Sequence, residues 1–406
     1  MTQFRLRQYL SQNATWLGAG VLLTFLSSFG QTFFISIFAG EIRTEFGLSH
    51  GAWGGLYSLG TTASALVMIW AGGLTDIFRV RALGPWILAG LMIAALAMAL
   101  NTMVLLLPVV IFMLRLFGQG MSVHIAMVAM ARWFTATRGR ALSIATLGFA
   151  IGEIVLPLSF VAAMTMMDWR WLWILAAAIT ALGIPVLIRL LRRERTPQSL
   201  SETASSTGMD GHHWTRKETL FHPLFWFMVP AFMGPSAFLT ALFFHQVHLA
   251  AVKGWEHIQL VTLFPAYTGV SILAMITSGW ALDKWGTARL MPVFQVPMAI
   301  GFVLLALTET IGGALLGLTV LAVTVGAYGT LPSAFWAEFY GTRHIGGIKA
   351  MATALMVLGS AIGPGLTGVS IDLGVPLEAQ FLWIAGFFIL SCLSVWFGIH
   401  RAARNL

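Results

Sequence analysis

The chain has little of what a soluble protein needs. Charged residues make up 9% of its 406 residues, whereas a soluble globular chain carries roughly 25%. A single cysteine, Cys392, lies inside an apolar run, which excludes a disulfide framework within the chain. Hydrophobic residues account for 58% of the sequence. This composition predicts a protein whose surface faces lipid rather than water.

Several sequence motifs of enzymes are also missing. No Gly-x-x-x-x-Gly-Lys-Ser/Thr loop is present, so the sequence does not predict ATP hydrolysis. The pair Gly118-x-Gly120 lacks the third glycine of a dinucleotide site, and no Cys or His cluster has the spacing of metal ligands. No Ser-His pair or paired aspartates suggest catalysis. The sequence therefore predicts neither an enzyme nor a bound cofactor or metal.

Long apolar runs fill most of the chain. A helix needs about 20 apolar residues to cross the hydrocarbon core of a bilayer, and twelve runs approach that length. We expect an all-α membrane protein in which six runs precede a polar stretch and six follow it. The twelve predicted spans are 17–39, 52–74, 82–100, 104–128, 141–163, 170–190, 223–246, 259–281, 288–307, 312–335, 350–370 and 378–399.

The polar stretch divides the chain into two predicted bundles. Residues 192–222 are rich in Ser, Thr, Arg and Glu, which is typical of a flexible linker. We therefore predict an N-terminal six-helix bundle at 1–191, a linker at 192–222 and a C-terminal six-helix bundle at 223–406.

The basic residues predict the orientation in the membrane. With the N-terminus inside, 19 of the 23 Lys and Arg residues fall in cytoplasmic segments. Only Arg43, Arg170 and Lys253 fall in segments on the outer side, and Arg115 is within a span. The net charge of +8 is then explained by topology, and a nucleic-acid partner is not needed. Both termini and the central linker are predicted to be cytoplasmic.

The two halves share short motifs. Gly72 and Asp76 at the end of the second span match Gly279 and Asp283 at the end of the eighth, 207 positions later. Gly148 and Gly152 in the fifth span match Gly359 and Gly363 in the eleventh, 211 positions later. Two independent matches at nearly one offset predict an internal duplication, a common design of transporters.

With these motifs the chain resembles the major facilitator superfamily along its whole length. The run Gly279-x-x-x-Asp283-Lys284-x-Gly286 is similar to the loop signature of that family, and 72–81 is a degenerate copy with Ile77 and Arg79 at altered positions. Arg115-x-x-Gly118-x-Gly120 resembles its fourth-span motif. The stretches 133–140 and 337–349 look like those of bacterial branches near the monocarboxylate and oxalate/formate carriers. The resemblance implies twelve helices in two six-helix bundles.

Two ionisable residues are predicted near mid-membrane. An ionisable group costs about 2.5 kcal/mol or more there, so it is a functional candidate by default. Arg115 is in the fourth span and Glu153 in the fifth, at similar depth, so the two charges are expected to meet and to couple transport to protons. A static ion pair is the alternative. Gln119, one turn from Arg115, is a candidate substrate ligand.

Other polar side chains are candidate substrate ligands. Ser28 and Gln31 continue a polar stripe of the first span, and the family resemblance implies that the first, fourth, seventh and tenth spans line the cavity. Tyr267 in the eighth span and Tyr328 in the tenth add aromatic lining. Pro230, Gly234 and Pro235 predict a break in the seventh span, which would expose backbone groups to a substrate.

Four residues are expected to form the cytoplasmic gate. Asp76 and Arg79 follow the second span, and Asp283 and Lys284 follow the eighth. We expect the carboxylates to cap helix N-termini of the opposite half or to pair with arginines, and so to close the inner mouth.

These features predict a secondary active transporter of the bacterial inner membrane, functional as a monomer. Proton-coupled uptake of a small organic solute is favoured, either a monocarboxylate or a flat aromatic vitamin such as a flavin. Proton-antiport efflux of drugs or metabolites is the alternative, although the fifth span lacks the Gly-Pro pair usual in such exporters. A membrane receptor that does not transport a solute is a more remote alternative.

Overall fold

The computed structural model describes residues 2–134, 137–192, 207–341 and 343–402. Within these ranges every regular element is a helix, as the sequence predicts. Helices are expected because a backbone in hydrocarbon must satisfy its hydrogen bonds within the segment.

Twelve helical stretches occupy the positions of the predicted spans. We number them α1 (Gln8–Gly30 with Thr32–Phe46), α2 (His50–Ala71), α3 (Val80–Leu100), α4 (Val104–Trp133), α5 (Gly139–Met164), α6 (Trp169–Leu190), α7 (Pro223–Phe244), α8 (His257–Trp285), α9 (Val296–Leu307), α10 (Ile311–Tyr340), α11 (Gly347–Asp372) and α12 (Leu377–Ala402).

Not all of these stretches meet the length and composition of a membrane span. Among the described residues nine helices do, and the bent pair of α1 makes a tenth. The apolar helix α9 has only 12 residues, and α2 is not among the helices that qualify. The all-α fold is therefore confirmed, whereas the count of twelve crossings stays a prediction.

The chain divides into two compact units. The first comprises Met1–Gly47 and Leu56–Glu202, and the second comprises Leu48–Gly55 and Thr203–Leu406. The start of α2 thus belongs to the second unit and the rest of α2 to the first. Residues 193–206 of the predicted linker lie outside the described residues.

In the first unit α5 packs tightly on α1 through two glycines. A Cβ added at Gly148 would lie 2.0 Å from Val21 O, and one added at Gly152 would lie 2.0 Å from Ser28 Oγ. Only glycine permits this approach, which is how helices pack closely in a membrane. Thr24 Oγ1 donates to Ala145 O across the same interface.

In the second unit α11 packs on α7 in the same way. A Cβ added at Gly359 would lie 2.5 Å from Met233 O, and one added at Gly363 would lie 2.1 Å from Ala237 O. These are the glycines that match Gly148 and Gly152 in the sequence. The paired motifs thus make equivalent helix contacts within each unit, which supports the predicted duplication.

A charged junction in the first unit joins three helix ends. Arg170 at the start of α6 forms an ion pair with Glu45 at the end of α1. Its Nη1 donates to Ala99 O, near the end of α3, at 2.6 Å. Asp168 caps α6 by accepting from the Arg170 backbone N–H at 2.8 Å.

The second unit has the same junction with its charges exchanged. Lys253 Nζ, after α7, lies 3.0 Å from Glu378 at the start of α12 and 3.1 Å from Glu309 after α9. It also donates to Ala306 O at 3.4 Å. Lys253 is 208 positions after Glu45, Glu378 is 208 after Arg170 and Ala306 is 207 after Ala99. These equal offsets support the predicted duplication, with the cation supplied by Arg170 in the first junction and by Lys253 in the second.

The predicted break in the seventh span is wrong. Helix α7 runs without interruption from Pro223 to Phe244, with Pro230 and Pro235 inside it. Pro235 has no N–H to donate to Ala231 O. The buried side chain of Gln295 donates there instead, at 3.1 Å. The proline is tolerated because a distant residue satisfies the carbonyl that it leaves unpaired.

The described end of the predicted linker, 207–222, packs on the second unit. Met209 is buried in the core beside the inner part of α10, and the Trp214 backbone N–H donates to Tyr340 O at 3.2 Å. Thr215 and Glu218 form a capping box on the helix Arg216–Phe221, and hydrogen bonds from Thr215 lower the pKa of Glu218. Burial lowers the pKa of His222.

Candidate functional site

The first span is broken in the middle of its apolar run. The helix ends in a 3₁₀ turn at Ser27–Gly30, Gln31 is extended with φ −86° and ψ 153°, and a helix resumes at Thr32. The two parts differ in direction by 46°. A break leaves backbone carbonyls without helical partners, and such exposed groups mark binding sites in transporters.

Arg115 reaches this break from α4. Its Nη1 donates to Gly30 O at 3.3 Å and to Thr32 Oγ1 at 3.2 Å. The hydroxyls of Thr32 and Tyr57 are 2.6 Å apart, and the Arg115 Cζ lies 5.5 Å from the centroid of the Tyr57 ring. The arginine therefore bridges the two halves of α1 and stacks on α2.

The guanidinium is buried, but not all of its hydrogen-bond donors have acceptors. Arg115 is 2% exposed, and its Nε has no hydrogen-bond partner within the described part of the chain. Nη1 lies on the Cδ side of the guanidinium. The opposite edge, which carries Nε and Nη2, therefore makes no hydrogen bond to the broken segment of α1. That edge has the planar two-donor geometry that matches a carboxylate.

Close helix packing brings Arg115 to the break. A Cβ added at Gly30 would lie 2.1 Å from Leu114 O, and one added at Gly118 would lie 2.6 Å from Gly30 Cα. The segment Arg115–Ser122 of α4 is a π-helix, a form often found at functional sites. The sequence motif Arg115-x-x-Gly118 thus combines a charge with the glycine that allows its approach.

Glu153 lies on the side of α5 that faces the same region. The Phe149 ring, one turn earlier, is 5.6 Å from the ring of Phe33 just after the break, and Gly152 packs on Ser28. Glu153 is half-buried. Residues four apart share a helix face, so Glu153 lies on the face of α5 that carries Phe149. Its direct pairing with Arg115 stays a prediction.

The other predicted ligands of the first unit differ in environment. Ser28 is fully buried against Gly152, and its hydroxyl has no partner among the described residues. Gln31 supplies the extended residue of the break itself, and Gln119 is half-buried in the π-helical turn. Their roles in substrate binding stay predictions.

Tyr267 and Tyr328 lie in the second unit. Tyr267 is buried, with its ring 5.2 Å from that of Phe243. The Tyr328 hydroxyl donates to Phe232 O at 2.5 Å and its ring stacks on that of Phe294. Both rings are thus integrated in helix packing, and a role in substrate binding stays a prediction.

The predicted gate residues lie at helix ends. Asp283 is exposed near the end of α8, Lys284 Nζ lies 5.2 Å from the Trp280 ring, and Arg79 precedes α3. The backbone of Asp76 is in the short helix Leu74–Ile77, but its side chain lies outside the description, as does that of Arg138.

Two side chains of α4 hold the loop after α2 in place. His124 Nε2 donates to Gly72 O at 3.1 Å, and Arg132 Nη1 donates to Thr75 O at 2.7 Å. Sequence reasoning predicted Arg132 as a partner of the carboxylates at this mouth, but it did not assign His124 to the loop.

The described ranges contain no group of three or more His, Cys, Asp or Glu side chains arranged to hold a metal ion. The chemistry that this site offers is therefore that of one buried guanidinium, one half-buried carboxylate and several hydroxyls around a broken helix.

A helical membrane protein with ionisable groups around a broken span has the characteristics of a solute transporter. Comparison with known sequences specifies the kind. The family model described as Major Facilitator Superfamily matches residues 20–364, and the chain belongs to this superfamily. Transporters of this superfamily carry small molecules across a membrane.

Individual relatives are distant. Monocarboxylate transporter 11 of Mus musculus is 25% identical over 288 residues, which cover 68% of this chain and 63% of the relative, so the match spans less than two thirds of that protein.

Among solved structures, a bacterial homolog of the human lysosomal transporter Spinster, in an inward-facing and unoccupied conformation, has a TM-score of 0.71 at 16% identity and covers 97% of this chain and 98% of the other. The nucleoside transporter NupG has a TM-score of 0.71 at 14% identity, with 96% and 99% covered. These two likenesses show the fold alone.

Proposed function

We propose that the protein takes up a small organic monocarboxylate together with a proton, across the bacterial inner membrane. The observation that carries this proposal is the buried arginine at the break of α1, whose Nε is buried without a partner among the described residues. A relative named for monocarboxylate transport supports the same substrate class.

The geometry of Arg115 favours a carboxylate. With Nη1 engaged by Gly30 O and Thr32 Oγ1, the edge formed by Nε and Nη2 is available for two parallel hydrogen bonds. A bidentate pair of this kind is stronger and more selective than a single bond. The substrate would then be linked through one guanidinium to both parts of α1.

The charge balance favours one carboxylate rather than two. The predicted site pairs one mid-span cation, Arg115, with one carboxylate, Glu153, so the region would have little surplus positive charge. A second anionic group on the substrate would be buried without a partner, which is costly. Phosphorylated and dicarboxylic solutes are therefore disfavoured.

Glu153 is the residue that we assign to proton coupling. An adjacent arginine favours the charged form of a carboxylate. When a substrate anion neutralises Arg115, this support is lost and Glu153 takes up a proton. Substrate and proton then occupy the site together and are released together, which is the requirement for symport.

Transport in proteoliposomes tests the coupling role. We expect Glu153→Gln to abolish accumulation driven by a pH gradient and to retain exchange of internal for external substrate, because exchange needs no net proton movement. Glu153→Asp, which keeps a titratable group, should accumulate substrate in part. Glu41→Gln removes an exposed carboxylate of the same unit and should behave as wild type. Accumulation by Glu153→Gln at the wild-type level would contradict this role.

Binding measurements test the substrate class separately. Short monocarboxylates should bind, and matched dicarboxylates and a neutral flavin should not. Arg115→Gln should weaken binding about 10- to 100-fold, the loss of a charge-assisted pair worth roughly 1.5–3 kcal/mol. Arg115→Lys keeps the charge but not the planar edge and should recover little. Binding of the flavin with no effect of Arg115→Gln would favour the aromatic vitamin instead.

A further inference from the structure

Helix α4 contains one residue more than a regular helix would place between its contacts with α2. Four residues of α4 contact α2 or the loop after it: Ile111 at Gly60, Arg115 at Tyr57, Gly120 at Met68 and His124 at Gly72. They follow one another at intervals of four, five and four residues. Residues three or four apart share one face of an α-helix. The interval of five falls within the π-helix Arg115–Ser122, which accommodates the additional residue.

The hydroxyl of Ser122 makes a hydrogen bond that belongs to the π form. Ser122 is fully buried, and its Oγ donates to Phe117 O, five residues earlier, at 2.7 Å. In a regular α-helix a hydroxyl reaches a carbonyl three or four residues earlier, as those of Ser143 and Thr180 do in α5 and α6. A π-helix also bonds its backbone N–H groups five residues back. The side chain therefore repeats the bond that distinguishes a π turn from an α turn.

The first part of α4, residues 104–118, is fixed to the broken helix α1. A Cβ added at Gly118 would lie 2.6 Å from Gly30 Cα, and Arg115 Nη1 donates to Gly30 O and to Thr32 Oγ1. The close contact is between backbone atoms, and the guanidinium is buried. This part of α4 therefore cannot rotate without losing both sets of contacts.

The last part of α4, residues 123–133, holds the loop after α2. His124 Nε2 donates to Gly72 O at 3.1 Å, and Arg132 Nη1 donates to Thr75 O at 2.7 Å. An α-helix turns by about 100° per residue, so an α-helical form of 115–122 would rotate the last part by about 100° relative to the first. His124 would then take the direction of the buried Ile125, and its bond to the loop would be lost.

We propose that Ser122 is a positioning residue for transport, whose hydroxyl stabilises the π turn and so keeps the first part of α4 at the break of α1 while the last part holds the loop after α2. π-Helices are rare and usually a single turn long, so a bond available only in that form favours it over the α form. The role in transport rests on the proposed function, whereas the rotation of α4 does not.

Cysteine reactivity on the purified full chain tests the rotation without any substrate. The reporters are Ala126→Cys and Val128→Cys, each in a Cys392→Ala background and treated with N-ethylmaleimide. Ala126 is buried and Val128 is half-buried. After rotation Ala126 would take the direction of the half-buried Met127, and Val128 that of the buried Ala129. Rotation therefore raises the reactivity at 126 and lowers it at 128, whereas a general loosening of the helix raises both.

Ser122→Val and Ser122→Thr are the matched variants, because valine and threonine have the same shape and only threonine has a hydroxyl. In Ser122→Val we expect the reactivity at 126 to rise by about fivefold, the effect of losing one hydrogen bond, and that at 128 to fall. Ser122→Thr should react as the wild type does at both positions. If the added methyl group prevents folding, Ser122→Ala against the wild type gives the same comparison.

Deletion of Gln119 shows whether Ser122 acts through the additional residue. The deletion leaves Arg115, Gly120 and His124 at regular intervals of four residues, so α4 can keep its contacts as an ordinary α-helix. In this shortened chain Ser122→Val should change the reactivity at neither reporter. A change of the size seen in the full-length variant would contradict the proposal.

Binding and transport measurements connect the rotation to function. Because the first part of α4 keeps Arg115 at the break, Ser122→Val should bind a short monocarboxylate as Ser122→Thr does and transport it more slowly. A wild type that binds no monocarboxylate would contradict the proposed function alone, since the cysteine test uses no substrate.

Three results would overturn the assignment of Ser122. The first is equal reactivity of the valine and threonine variants at both reporters. The second is a rise at both reporters in Ser122→Val, which indicates loosening instead of rotation. The third is equal rates of transport by the two variants.

Discussion

The contact between Gly30 and Gly118 provides the sharpest test of the site. In Gly118→Ala the new Cβ would lie 2.6 Å from Gly30 Cα and 2.9 Å from Gly30 N. Carbon atoms normally approach to about 3.5 Å, so α4 must move from α1 by roughly 0.9 Å. Since the opposing atoms are backbone, no rotamer change can relieve the clash.

This displacement affects both stability and the arginine. The bond from Arg115 Nη1 to Gly30 O, at 3.3 Å, is already long, and a further shift exceeds the range of a hydrogen bond. Overpacking costs about 1–3 kcal/mol, and loss of a hydrogen bond to a charged group costs about 1.5–3 kcal/mol. At roughly 2–4 °C per kcal/mol, we expect the unfolding temperature in detergent to fall by about 5–24 °C.

Gly120→Ala is the matched control for this variant. It lies two residues away on the same helix, but its Cβ would meet Met68 Sδ at 3.2 Å, and that flexible side chain can move. We expect its unfolding temperature to be within about 2 °C of wild type. Equal unfolding temperatures for the two variants, together with unchanged substrate affinity in Gly118→Ala, would refute the argument.

Three further predictions concern topology, gate and junction. A phosphatase reporter inserted within 193–206 should be inactive in cells, since this loop is predicted to be cytoplasmic, and an active reporter would reverse the orientation. Asp283→Asn should abolish transport while the yield of folded protein stays normal. Normal transport by this variant would exclude a gating role for Asp283. Lys253→Glu should destabilise by about 3–5 kcal/mol because the lysine side chain is 1% exposed. Adding Glu378→Lys reproduces the charge order of Glu45 and Arg170 and should restore most of that loss in thermal unfolding; strictly additive losses would contradict the duplication of the junction.

Much of the architecture follows from the sequence because lipid imposes simple rules. The length of each apolar run locates the helices, and a small residue at a helix interface lets two backbones approach closely. The four glycines of the fifth and eleventh spans are one of the two matches that predicted the duplication, and each makes a close helix contact. The position of Arg115 in an apolar run also identified it as a candidate without any structure.

The breaks depended on partners that the local sequence does not contain. Helix α7 keeps its prolines because Gln295 satisfies Ala231 O from 64 residues away, so the local proline signal was misleading. Helix α1 breaks at Gln31, in a run that looks continuous, and Arg115 of α4 occupies the freed carbonyl of Gly30. Sequence determined where the apolar helices lie and which charges are costly to bury, whereas tertiary structure decided where helices break, because the hydrogen bonds that compensate a break come from distant segments.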